Sequence, residues 1–476
     1  MNLLNIDLNK NNLLEVLSHS ENILIDNALE LKNTEIIDKV IQANIREGEN
    51  EGILVGEKWR VALEEKSNEK YFICNTYERE IENDISNILL KNNPKEIVQG
   101  ILVGAYCIGS KKAFIYICKD NVEAIEKIKK EILNFNSEIS IEIKEVDRDA
   151  IYGDEIAAIN ILESKLNNKN ISERYPLSKF LNNEVATINR PETLIKVYRL
   201  FNEEEFRDLS KSKFVILDGV LKSNEIFNVN NETTFSDLIH NIGGGLSEEK
   251  EVKALLVNGN TGVLIPPELF NISINDSKIR IDEISKVMKI KVIYSDECVI
   301  DLLKNITSLN NSSSCNKCVL CREGSLQFKT ILDDITEGKA KVEDIVTLKQ
   351  LSKVINTGAG CSFGRNVSNI ISSALEYFYS DFEEHINKKK CSALVCKKYF
   401  SYHILGKMCK GCEECLDKCP VEAIDGGMNL IHVIDQDECI KCGLCEEVCE
   451  YNAVVKAGLI KPKTPLKPVR VGTWKR

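Results

Sequence analysis

Hydrophobic and polar positions follow three rhythms along this chain. Between Lys70 and Leu200, short apolar runs alternate with amphipathic stretches. Lys70–Asn75, Ala113–Cys118 and Ile139–Glu145 read as strands, and Pro94–Gly109 and Val122–Leu133 as helices. Strands alternating with helices of that length predict a parallel sheet with helical crossovers. From Lys213 to Tyr294 the pattern shortens. Phe214–Val220 and Val252–Val257 predict strands, Phe235–Asn241 a helix, and Gly243–Gly245 its stop, giving a compact α+β module. Between Ser325 and Ile386 the rhythm is helical, with Val367, Ile370, Ile371, Ala374, Leu375, Phe378, Phe382 and Ile386 on one face. That stripe predicts the core of a small helical bundle. Residues 1–45 show weak helical periodicity and no assignable chemistry.

Composition narrows the picture. A chain of 476 residues with 43% hydrophobic content has material for several buried cores. No basic leader precedes an apolar run, and no stretch approaches the ~18 apolar residues of a membrane span, so a cytoplasmic protein without a membrane segment is expected. The net charge of −11 argues against a nucleic-acid partner. Eighteen cysteines in such a chain point to metal, because cytosolic thiols are kept reduced.

Most of those cysteines fall in the last third, and their spacing carries the chemistry. Cys409, Cys412, Cys415 and Cys419, followed by Pro420, form a C-x2-C-x2-C-x3-C run, and Cys439, Cys442, Cys445 and Cys449 repeat it with a period of 30. Ala423 and Ala453 keep the same register. This is the two-cluster ferredoxin signature, in which three close thiolates bind one 4Fe–4S cube and the fourth cysteine ligates the other. One cube is therefore assigned to Cys409, Cys412, Cys415 and Cys449, and the other to Cys439, Cys442, Cys445 and Cys419. Zinc would leave the third cysteine of each run and the crossed fourth unused. A third group, Cys315, Cys318 and Cys321 with Cys361 further on, suits one more cube, with zinc as the alternative. Cys391 and Cys396, with His385 upstream and His403 downstream, offer an incomplete zinc site, or free thiols. Cys74, Cys107, Cys118 and Cys298 lie in apolar runs and read as core. Residues 456–476 carry seven Lys or Arg, three prolines and no acid. That basic tail reads as an arm lying on an acidic partner or on the chain's own body, or as a solvated end.

The run Ser314–Gly324 is similar to the S-C-G-K-C-x-P-C-R-E-G motif of the FMN- and NADH-binding flavoprotein subunit of respiratory complex I. Lys70–Asn75, Ala105–Gly109, Ala113–Ile117 and Ile188–Leu194 resemble further segments of that family in order. With two ferredoxin clusters appended, the chain also resembles the β subunit of multimeric, electron-bifurcating FeFe hydrogenases. The resemblance implies an α/β multidomain chain. Its parts would be an N-terminal segment (1–45), a complex I flavoprotein-like α/β sandwich (46–205), a β-grasp (SLBB-type) module (213–294), a helical-bundle 4Fe–4S domain (300–390), a bacterial-type two-cube ferredoxin domain (391–455) and the basic tail (456–476). It also implies a structural zinc at Cys391, Cys396 and His385.

The chain departs from the family at the cofactor loop. The family's G-R-G-G-A-G-F-P-T-G-x-K-W falls on residues 47–59, where Gly52, Gly56, Lys58 and Trp59 survive, but Glu47, Glu49, Asn50 and Glu51 replace small residues. Side chains there lose the close backbone approach that glycine permits. Like charges about 4 Å apart at an effective dielectric near 20 repel by roughly 4 kcal/mol. Asn75, Glu78, Glu80, Gly153 and Glu155 are what remains of the implied flavin site.

The expected function is thus an iron–sulfur electron-transfer subunit with three 4Fe–4S clusters, without FMN or NADH and without a catalytic side chain of its own. Its expected partners are the other subunits of a hydrogenase- or dehydrogenase-like complex, with a ferredoxin as a further partner. Two alternatives stand beside it: an FMN-dependent NADH dehydrogenase or bifurcating subunit with a diverged loop, and a structural or assembly subunit.

Overall fold

The computed structural model describes residues 31–47, 53–77, 85–135, 137–147, 158–159, 162, 179–181, 184–202, 212–223, 225–276, 287–360 and 362–474. The first unit opens with helix α1 (Asn33–Gln42), the strand pair β1 (Arg46–Glu47) and β2 (Ile53–Leu54), and helix α2 (Val55–Glu64). Its sheet is built from β3 (Lys70–Asn75), β4 (Lys112–Cys118), β5 (Ser140–Val146), β6 (Lys179–Leu181) and β7 (Glu184–Asn189), interleaved with α3 (Ile85–Asn92), α4 (Pro94–Ile108), α5 (Val122–Asn134) and, after β7, α6 (Pro191–Asn202). The strand order is β5-β4-β3-β7-β6. All neighbours are parallel except β6, which pairs antiparallel with β7. The apolar strands and crossover helices fall on the expected residues because their alternation leaves no other way to bury both faces of the sheet.

Local chemistry fixes the boundaries. Pro94 opens α4, where a missing N–H costs nothing, and Gly109 closes it at φ 74°, a left-handed cap that suits glycine. α4 is buried nearly all round, and Gly104 lets it settle on the sheet: a Cβ there would lie 2.3 Å from the Phe72 ring. Gly56, one of the surviving loop glycines, has a packing reason of its own, since a Cβ would lie 2.4 Å from Ile41 and 2.9 Å from the Ile37 carbonyl of α1.

The second sheet contains β8 (Ser212–Asp218), β9 (Ile226–Asn230), β10 (Val252–Val257), β11 (Val263–Ile265) and β12 (Val287–Tyr294), in the order β11-β10-β12-β8-β9. Only the β12–β8 pair is parallel. The expected helix between β9 and β10 is short: α7 (Phe235–Asp237) continues as a wider π turn from Leu238 to Ile242. Alternation along β10 and β11 divides the sheet's faces. Leu255, Val257, Val263 and Ile265 join the sheet's own core, whereas Ala254, Leu256 and Leu264 join the core of the helices that follow.

Those helices are α8 (Val299–Ser312), α9 (Val319–Thr336), α10 (Val342–Gly358), α11 (Ser362–Asn366), α12 (Asn369–Tyr377) and α13 (Tyr379–Ile386). The apolar stripe from Val367 to Ile386 is shared by two of them. Phe378, at φ −123° and ψ 31°, ends α12 and begins α13, so the stripe's periodicity survives a break in the axis while all its residues face one core.

The last unit repeats its own backbone. β13 (Ser401–Ile404) precedes α14 (Glu414–Asp417), β14 (Ile424–Asp425), β15 (Leu430–Ile431), β16 (Val433–Ile434), α15 (Leu444–Glu447), β17 (Val454–Ala457) and β18 (Val469–Arg470). Ile404 pairs with Val454 in one ribbon, and their repeat mates Ile434 and Ile424 pair in the other. Left-handed residues repeat too: Gly411 with Lys441, Glu413 with Gly443, and Glu422 with Asn452 all have positive φ. The basic tail lies on this body. β18 pairs with β15, and a Cβ at Gly406 would lie 2.7 Å from the Trp474 ring.

Candidate metal centres and the crevice at the sheet edge

The tightest cluster of ligand atoms contains a residue that the sequence placed in the core. Cys298, just before α8, meets His385 at the end of α13 and Cys391 and Cys396 in the loop beyond. All four are buried, with one ligand atom of each within 4.8 Å of the others. Cys298 Sγ lies 3.4 Å from His385 Nε2 and 3.7 Å from Cys396 Sγ, which is itself 3.5 Å from His385 Nε2. A tetrahedral zinc with bonds of about 2.3 Å to sulfur and 2.0 Å to nitrogen spaces its ligands by about 3.8 Å (S···S) and 3.5 Å (S···N). The cluster has those dimensions. Cys298 thus joins the three residues of the local motif in one group that could hold a metal ion, while lying in the buried core as its apolar surroundings predict. His403 is not part of the group; it bonds Ser401 at 2.8 Å.

The surroundings support the same set. His385 Nδ1 lies 2.7 Å from the Asp381 carbonyl, which holds the proton on Nδ1 and leaves Nε2 free to ligate. Tyr399 packs edge-on against the imidazole and donates its hydroxyl to Ile335 O at 2.6 Å. In the metal-free site burial opposes charge on His385, yet hydrogen bonds that the ring donates to the Cys298 and Cys391 sulfurs outweigh it and raise the imidazole to about 10. Hydrogen bonds from Cys298 and Cys396 depress the Cys391 thiol, while Cys396, as donor to Cys298 and Cys391, is raised, because crowded thiols cannot all ionise until a cation joins them.

The ferredoxin-like runs are built differently. Among the described residues no other group of three or more draws within 4.8 Å, so these thiolates are spread wider than one ion spans. Cys419 Sγ accepts from Ala423 N at 3.2 Å, Cys449 Sγ from Ala453 N at 3.3 Å, and Cys439 Sγ from Lys441 N at 3.4 Å. Backbone donors aimed at sulfur suit thiolates that keep negative charge. Burial pushes the Cys415 thiol up to about 12, and the thiols adding to that shift are Cys409, Cys445, Cys412 and Cys449. Thiols of both runs thus surround Cys415.

Cys318 precedes α9 and Cys321 lies in its first turn, where it is 3.6 Å from Ser314 Oγ. Cys315 and Cys318 are half-buried. Cys361 lies outside the described residues, but the chain just after it runs beside this group: a Cβ on Gly364 would lie 3.6 Å from Cys321 Sγ.

The remaining candidate lies at the carboxyl ends of the parallel strands. The order β5-β4-β3-β7 reverses direction between β3 and β7, the place where open α/β sheets bind ligands. Glu47, from the altered loop, fills it. Lys58 Nζ donates to Glu47 Oε2 at 3.0 Å, Asn189 Nδ2 to Oε2 at 2.6 Å, and Arg190 N to Oε1 at 2.6 Å. Lys58 also donates to the Ile188 carbonyl, and Trp59 Nε1 to Asn189 Oδ1 at 2.9 Å. Tyr77 spans the crevice: its hydroxyl donates to the Val146 and Asp147 carbonyls, and its ring packs 5.0 Å from Tyr116. Asn75 is buried and accepts from Tyr77 N. Burial raises the nearby Glu192 carboxyl, with Arg190 opposing and Glu47 adding. Glu78, Glu80, Gly153 and Glu155 lie outside the described residues.

Comparison with known proteins covers most of this architecture. Residues 40–199 match the family described as the Nuo51 FMN-binding domain, 301–385 the NADH-ubiquinone oxidoreductase-F iron-sulfur binding region, and 432–455 a 4Fe-4S binding domain. The NADP-reducing hydrogenase subunit HndC of Solidesulfovibrio fructosivorans is 28% identical over 449 residues, spanning 90% of this chain and 91% of that protein. An NADH-quinone oxidoreductase subunit of Aquifex aeolicus is 25% identical over 390 residues, spanning 78% and 90%. An NAD+-reducing nickel–iron hydrogenase in the H2-reduced state shares the fold with a TM-score of 0.68 at 18% identity, over 79% of this chain and 67% of that one. The chain therefore resembles the flavoprotein subunits of complex I and their hydrogenase counterparts, and it shares their 4Fe–4S-binding regions. No helix among the described residues is long and apolar enough to cross a membrane.

Proposed function

We propose that this chain is a cytoplasmic iron–sulfur electron-transfer subunit of a hydrogenase- or dehydrogenase-like complex. It holds three 4Fe–4S cubes and one structural zinc and takes no FMN or NADH. Its α+β module is read as a β-grasp element that packs on the helices carrying the Cys315 group. The cubes supply one-electron chemistry when bound. The protein's own part is positional: thiolates on rigid turns hold the metal, and backbone N–H groups on their sulfurs tune it.

The observation that carries the absence of flavin is the Glu47 carboxylate. The lysine of the resembling family's loop survives here as Lys58, and Lys58, Asn189 and the Arg190 N–H already hold an anion belonging to the chain. A phosphate entering that place would meet a buried carboxylate and strip Lys58 of its partner.

The second reading, an FMN-dependent NADH dehydrogenase, is favoured by the match of residues 40–199 to an FMN-binding domain. Purification without oxygen, followed by metal and flavin analysis, separates the two. The proposal expects about twelve iron atoms from three cubes, one zinc and no flavin absorbance. Stoichiometric FMN together with cluster reduction by NADH would establish the second reading instead.

A further inference from the structure

The 30-residue repeat extends beyond the cysteines and sets two unlike rings, Tyr402 and His432, at equivalent positions. Each ring is buried beside one thiolate run. Tyr402 lies against the second: a Cβ on Gly443 would be 2.9 Å from its hydroxyl. Burial raises that phenol, with the Glu446 carboxylate adding to the shift. His432 lies against the first run, with Nδ1 3.5 Å from Cys415 Sγ and 4.0 Å from Cys409 Sγ. Its ring is 1% exposed, and Nε2 has no partner among the described residues. Gly426 makes the position possible, since a Cβ there would lie 1.8 Å from His432 Cδ2. At the position equivalent to Gly426 stands Lys456, whose ammonium is 5.7 Å from the Tyr402 ring.

The location of the imidazole proton follows from its neighbours. A ligating sulfur offers only lone pairs. A proton on Nε2 would leave that N–H buried without an acceptor and turn the Nδ1 lone pair toward sulfur. A proton on Nδ1 makes a charge-assisted contact and leaves one bare acceptor, the smaller cost.

We propose that His432 is a positioning residue for electron transfer: neutral, it donates Nδ1–H to the Cys415 and Cys409 thiolates and raises the reduction potential of the cube they hold. The inference rests on reading residues 391–455 as a two-cube domain. Reduction adds one electron, supplied by the complex's reductant, and spreads negative charge onto the sulfurs. The N–H dipole therefore favours the reduced cube more than the oxidised one. No bond breaks, and the imidazole keeps its proton. At the equivalent place beside the second run stands a phenol with no ring nitrogen, so the two cubes would have unlike neighbours.

The test is a dithionite titration of the full chain, purified without oxygen and followed by electron paramagnetic resonance. In His432→Phe, which keeps a ring but no donor, one ferredoxin-domain midpoint moves to lower potential and the other stays. His432→Gln, which can offer an amide N–H, recovers part of the shift. Unchanged or raised midpoints at full iron content would overturn the proposal. If His432→Phe loses iron, Gly426→Ala decides, because it displaces the ring without removing it: a lowered midpoint supports the donor role, and unmoved midpoints refute it. Failure of the underlying reading looks different, since the unmodified protein would then lack iron or a reducible signal.

Discussion

Lys58 Nζ lies 3.0 Å from Glu47 Oε2, with the two side chains 5% and 7% exposed, at the point where the first sheet reverses its strand order. A residue that survives from the resembling cofactor loop is thus neutralised by one that replaces a glycine of the same loop.

Breaking that pair strands a buried charge. Glu47→Ala should cost about 3–5 kcal/mol of unfolding free energy, and Glu47→Ala with Lys58→Met should recover most of it. Chemical denaturation of the two variants measures the difference. An equal loss in both would show that Lys58 is not the group left uncompensated.

Removing the remote zinc ligand separates the metal sites. Cys298→Ser should eliminate zinc from the purified chain while leaving its iron unchanged, and should lower the thermal midpoint of the helical unit. Retained zinc with an unchanged midpoint would show that the site closes without Cys298.

Zinc affinity should also depend on pH in a definite direction. His385 is raised from 6.5 to about 10 in the metal-free site, so its proton stabilises the metal-free fold below about 6.5, a contribution lost as pH rises through about 10. Metal must displace that proton, so affinity should rise at least about tenfold per pH unit across the interval. Chelator competition at two pH values checks it, and a flat profile would exclude His385 as a ligand.

Crossed ligation predicts which signal each mutation removes. Cys449→Ser should disturb the cube on Cys409, Cys412 and Cys415, while the cube on Cys439, Cys442 and Cys445 stays intact, with iron falling from about twelve to about eight atoms. Loss of the second cube's resonance instead would mean that each run is self-contained.

Close packing gives a prediction independent of metal. Gly104→Val would drive branched carbons into Phe72, already 2.3 Å from a bare Cβ, and toward Trp59 at 3.0 Å. Overpacking of this kind costs about 1–3 kcal/mol or more. Denaturant titration of the variant reads it.

The sequence by itself determined whatever depends on neighbours along the chain. Spacing placed the thiolates of each C-x2-C run, because such turns are local. The 30-residue period fixed the pseudo-symmetry of the last unit, and apolar runs fixed the strands and helices of the first sheet. Tertiary structure decided what distant segments do when folding brings them together. Cys298 and His385 are separated by most of the helical unit, so no motif could join them. His432 and Tyr402 could have been paired by the repeat, but only packing shows which ring faces sulfur. Glu47 reads in sequence as a charge hostile to phosphate. In the fold it becomes the anion that Lys58, Asn189 and the Arg190 amide hold, because a buried cation requires a partner and the nearest carboxylate supplies it.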